Sequence, residues 1–159
     1  PSPTDAVIYV WSPAPVGRAP WPMFRKDPAR RGVGPAPASG VGTRFFTLRP
    51  CRLADTRIGA PHPAASTPVF SVNGRCGVPP TASAVAVNAT VTQPTAFGDV
   101  RLFPAGTPMP FASVINFRAG QTRANNAILS VAPFGDLRAL VEMPAGSLHL
   151  LLDVSGYFE

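Results

Sequence analysis

Acid–base and nucleophilic chemistry need convergent titratable side chains, and the chain offers few of them from residue 45 onward: Asp55, Asp99, Asp136, Glu142, Asp153 and Glu159, with His62 and His149. A GxSxG elbow, an HExxH helix, a phosphate-cradling loop and a dinucleotide glycine fingerprint are all absent. His149 and Asp153 stand four residues apart on one alternating run, so they share a face and can meet only through neighbours. The polar face of an exposed strand explains them equally well. Neither histidine has a partner at metal-ligand spacing. The reading is a protein that is not an enzyme and takes no cofactor.

Asp55-Thr56-Arg57 is the polar cluster that stands out, because it follows Cys51-Arg52-Leu53-Ala54 directly. A carboxylate next to a hydroxyl and two residues from a guanidinium can close a local turn with a side-chain ion pair. Structural locking outweighs ligand binding, since one Asp supplies neither an acid/base pair nor a calcium shell. Asn116 and Asn125-Asn126 are read as capping turns or bridging strand ends, and Asn88-Ala89-Thr90 fits the glycosylation sequon. Cys51 and Cys76 are 25 positions apart with no CxxC or Cys/His cluster. In a lysine-poor chain rich in Thr, Ser, Asn and Pro, an even cysteine count reads as one disulfide made in an oxidising compartment. Two buried free thiols are the competing reading.

These groups need a scaffold, and composition limits its kind. The chain has 159 residues, 45% hydrophobic and 14% charged, with 21 prolines and 14 glycines. That is room for one domain plus an arm, and the prolines argue against a helical bundle. No apolar run reaches the roughly 20 residues of a membrane span. The net charge of +6 suggests nucleic acid, but thirteen arginines and one lysine are spread along the chain. The densest cluster is Arg25-Lys26 with Arg30-Arg31, interrupted by Asp27, so no basic stripe exists and no nucleic-acid partner is expected.

Composition shifts near Gly42. Residues 1–44 hold nine prolines and a net +4, against a net +2 over 45–159. The first segment therefore reads as an extended N-terminal arm and the second as a domain. Within the arm, Ala6-Val7-Ile8-Tyr9-Val10-Trp11 is apolar on both alternating faces, as in a strand covered on both sides. An isolated strand cannot meet that demand. From residue 45 the expected fold is all-β, an antiparallel β-sandwich of jelly-roll or immunoglobulin-like type with about seven or eight strands. The expected strands are 43–49, 69–72, 83–92, 100–103, 113–117, 124–131, 137–143 and 147–157. Between the first two lies a Pro/Gly/Ser-rich stretch without a long periodic element. Prolines 94, 104, 108, 110, 133 and 144 fall between runs.

At this point a resemblance becomes specific. The segment from Phe45 to Arg57, containing Pro50-Cys51-Arg52-Leu53-Ala54-Asp55-Thr56-Arg57, resembles the opening of a C-terminal accessory β-sandwich domain of large secreted bacterial proteins. Similar matches follow at Cys76-Gly77-Val78-Pro79, Ala84–Thr95, Leu102-Phe103-Pro104-Ala105-Gly106, Ile115–Asn126 and Leu152–Phe158. The resemblance covers about 45–159 and implies an accessory module with no catalytic role to carry over; the chain is shorter than the pattern around 58–72. Residues 6–11, followed by Trp21-Pro22-Met23-Phe24-Arg25, look like the last strand and tail of a β-propeller whose remainder is missing.

Three functions follow in order. First is a structural subunit of an extracellular filament or surface appendage, with residues 6–11 adding a strand to the sheet of another copy and Trp21, Met23 and Phe24 anchoring the arm. Head-to-tail docking of this sort does not close on itself. Second is a glycan- or cell-surface-binding accessory module using exposed aromatics such as Tyr157, Phe97 or Trp11. Third is a hydrolase, which would require a pocket uniting two carboxylates. Both leading readings place the protein outside the cell. Because the chain begins at Pro1 without a charged and apolar leader, it is also expected to be a processed piece.

Overall fold

A computed structural model of the chain describes residues 42–131 and 134–159. The expected docking strand at 6–11, the anchors Trp21, Met23 and Phe24, and Trp11 as a glycan contact lie outside these residues. Within them the chain forms nine strands and one 3-10 turn: β1 Phe45–Asp55, the turn Thr56–Ile58, β2 His62–Pro63, β3 Val69–Ser71, β4 Ala84–Thr92, β5 Gly98–Pro104, β6 Ile115–Phe117, β7 Arg123–Ser130, β8 Asp136–Glu142 and β9 Ser147–Phe158. The fold is an all-β, antiparallel β-sandwich.

One sheet has the order β1-β9-β4-β7, with β2 pairing the same strand, β9, further along its edge, and the other has the order β3-β8-β5-β6. The pairs β5/β6, β4/β7, β3/β8 and β2/β9 are nested one outside the next. Nested antiparallel pairs rolled into two facing sheets make the jelly-roll arrangement. Of the two expected sandwich types, the strand order selects this one.

The core follows from period-two alternation. β4 points Val85, Val87, Ala89 and Val91 inward, β8 points Leu137, Ala139 and Val141 inward, and β9 contributes Leu148, Leu150, Leu152 and Val154. Each is essentially buried, and together with Val100, Leu102, Ile115 and Phe117 they form one continuous apolar cluster. Leu or Val burial at this depth is worth about 1.5–3 kcal/mol per side chain.

Three strand expectations are corrected. β1 does not stop at 49 but continues through Pro50 to Asp55, and a short β2 occupies His62–Pro63 inside the stretch read as lacking structure. Proline is tolerated because both strands pair on one side only among the described residues, with β9. Pro50 also falls where the register jumps from Thr47↔Gly156 to Cys51↔Val154, so the ladder is already interrupted there. Pro104 ends β5 rather than lying beyond it.

Candidate functional site

The end of β1 and the turn after it carry the densest polar chemistry in the domain. Asp55 occupies the N-cap of the 3-10 turn and its Oδ1 accepts the Arg57 backbone N–H at 3.1 Å and Arg57 Nε at 2.9 Å. Its Oδ2 accepts Arg57 Nη2 at 2.6 Å and Arg52 Nη1 at 3.0 Å. Arg52 in turn donates Nη2 to Asp153 Oδ2 at 3.1 Å and Nε to Asp153 Oδ1. The result is a chain of alternating charge, Arg57–Asp55–Arg52–Asp153. The Arg57 side chain, then its backbone N–H and the Arg52 guanidinium, hold the Asp55 carboxyl far below the usual carboxylate range. The same contacts raise both arginines, Arg57 chiefly through Asp55 and Arg52 chiefly through Asp153.

Thr56 does different work. Its Oγ1 accepts the Leu150 N–H at 2.8 Å, replacing a strand carbonyl in the gap between the β1–β9 and β2–β9 ladders. His149 Nδ1 lies 3.0 Å from the Thr56 carbonyl, which can only accept, so Nδ1 carries the proton. The same nitrogen is 3.2 Å from Thr56 Oγ1. His149 and Asp153, considered above as a pair, therefore turn to separate partners. Nearby, burial pushes His62 below its ordinary value, reinforced by the charge of His149.

Register assembles a row that sequence reasoning missed. Arg52 lies opposite Asp153, Asp153 opposite Asn88, and Asn88 opposite Asn126, which sets four polar side chains across β1, β9, β4 and β7. They line a shallow groove of about 550 Å³ with Pro50, Cys51 and Ser155. Only the pairing of distant strands brings them together, so no local signal could have found them. Asn88 Nδ2 donates weakly to Thr90 Oγ1 at 3.4 Å. Asn125 projects the other way and donates to the Val114 carbonyl at 2.9 Å, while Asn116 donates to Ser113 Oγ at 2.9 Å.

Cys51 and Cys76 form a disulfide with Cα atoms 5.7 Å apart, tying β1 to the loop before β4. Among the described residues no group of three or more His, Cys, Asp and Glu side chains could hold a metal. Nor is any helix there long and apolar enough to cross a membrane. Tyr157 stacks on Phe46 with ring centroids 5.1 Å apart and is half-buried, whereas Phe97 is 67% exposed.

The opposite sheet brings two carboxylates to one groove, the feature that the hydrolase reading requires. Asp99 on β5 lies opposite Glu142 on β8, and Arg101 serves both: it pairs with Glu142 through Nη2 and stands 3.5 Å from Asp99 Oδ1. Both carboxylates face the same guanidinium, an arrangement that positions Arg101 rather than presenting a proton donor beside a base. No protein-family model matches the chain, and a search of curated proteins finds no match.

Proposed function

We propose that the chain is a structural subunit of an extracellular filament or surface appendage, extended by docking the segment 6–11 of one copy onto the sheet of the next. The observation that carries this reading is β7. It is an eight-residue edge strand that pairs with β4 alone among the described residues, with one charged side chain, Arg123, and no proline. Edge strands of soluble domains are normally shortened, charged or broken to prevent pairing, and an edge left open is a template for an added strand. The segment Ala6-Val7-Ile8-Tyr9-Val10-Trp11 supplies a strand apolar on both faces, the kind that needs a sheet and a cover. The Cys51–Cys76 disulfide supports an oxidising, extracellular setting.

Deleting residues 1–12 should leave folded monomers by analytical ultracentrifugation and no fibres by electron microscopy. Fibres from the shortened chain would dismiss strand donation. Replacing Asn126 in the middle of β7 with proline should stop assembly in the same way, since alternation from the Val131 N–H, which donates to Ser83, turns the Asn126 N–H away from β4 toward the outer edge, and proline removes that donor.

A further inference from the structure

The outer face of the β3-β8-β5-β6 sheet carries a second groove, of about 360 Å³, lined by Phe97, Asp99, Asn116, Glu142, Met143 and Pro144 among others. Register sets its polar floor: Asn116 lies opposite Asp99, and Asp99 opposite Glu142, so three side chains from β6, β5 and β8 stand in one row. Gly98 keeps the strands close, because a Cβ at that position would collide with the Glu142 carbonyl and the Met143 side chain. Phe97 precedes it directly and is 67% exposed.

The row is built to accept. Asp99 Oδ1 is buried facing Arg101 Nε at 3.5 Å, while the carboxylate as a whole keeps partial exposure, which leaves Oδ2 as its accepting atom. Glu142 is half-exposed and shares Arg101 with Asp99. Asn116 spends one amide N–H on Ser113 Oγ, which leaves its carbonyl oxygen and its second N–H to a ligand. Two carboxylates around one guanidinium leave a net negative charge, which disfavours phosphate and carboxylate ligands. A ligand that fits must carry hydrogen-bond donors along its rim and an apolar face for the exposed ring. A pyranose has both, with hydroxyls around the edge and a flat C–H face.

We propose that this groove binds a pyranose ring of a polysaccharide, its C–H face on Phe97 and its hydroxyls donating to Asp99, Glu142 and Asn116. The site lies wholly within one sheet and does not depend on how copies assemble. It would attach the protein to a glycan surface while the β7 edge remains free.

Saturation-transfer NMR tests this on the full chain, because it reads ligand protons whether the protein is monomeric or fibrous. The probes are cellohexaose, chitohexaose and laminarihexaose, with a synthetic peptide of residues 21–31 as a basic competitor. Saturation of ring C–H protons in at least one sugar is expected, with affinity about tenfold weaker in Phe97→Ala, the loss expected for one stacking contact. Phe97 is mostly exposed, so the variant should fold, and unchanged thermal unfolding checks that. Asn116→Ala should weaken binding as well. The proposal is overturned if no sugar is saturated, if saturation survives Phe97→Ala unchanged, or if only the peptide responds.

Discussion

Thr56 Oγ1 gives the clearest case of one atom holding two ladders together, because the Leu150 N–H it accepts has no strand carbonyl in the gap. Thr56→Val keeps the shape and removes the acceptor, so it should cost about 1–3 kcal/mol in denaturant unfolding, whereas Thr56→Ser should be close to wild type. Asp55 contributes through charge instead. Its folded carboxyl titrates below the unfolded one, so its stabilisation is complete above the ordinary aspartate value near 4 and fades as pH falls from there toward the depressed folded value. Thermal melts of Asp55→Asn should fall below wild type at neutral pH and converge with it in strong acid. Sequence reading picked out Asp55, Thr56 and Arg57 because unlike polar groups two residues apart can pair locally. It could not supply Asp153 or Leu150 as partners, since those contacts depend on the register of β1 against β9, whereas Arg52 pairs with Asp55 three residues on within β1.

Among the elements, alternation was the readable signal wherever a strand has one buried face. β4, β8 and β9 followed from their valines and leucines at every second position, and their observed ends lie within one or two residues of expectation. β1 was misjudged because an edge strand with a bulge needs neither strict alternation nor freedom from proline. β2, at two residues, is too short to carry any period. The disulfide fastens this irregular edge from outside the ladder. Cys51→Ala with Cys76→Ala should lower stability by about 2–4 kcal/mol in chemical denaturation. The loss should appear first as hydrogen exchange at β1 amides, while β4 and β8 stay protected.

At the scale of the molecule, the two proposed roles use separate parts: for another copy, the β7 edge, which pairs with β4 alone among the described residues, and for a sugar, the Phe97 groove on the outer side of the other sheet. Neither grew from a catalytic motif, and each arises where strands distant in sequence are set side by side. The nested pairs also impose an order in time. β5 and β6 are separated by ten residues and can meet early, β4 with β7 next and β3 with β8 after that, while β1 and β2 have no described partner until β9 exists. Contacts of wide sequence separation form late and slowly, because a long loop must close before they are rewarded. A ribosome-bound chain that ends before residue 147 should therefore remain protease-sensitive, and resistance should arrive abruptly once 147–158 have cleared the tunnel. In a domain of this kind the dozen residues of β9 are the ones that decide when it becomes a protein.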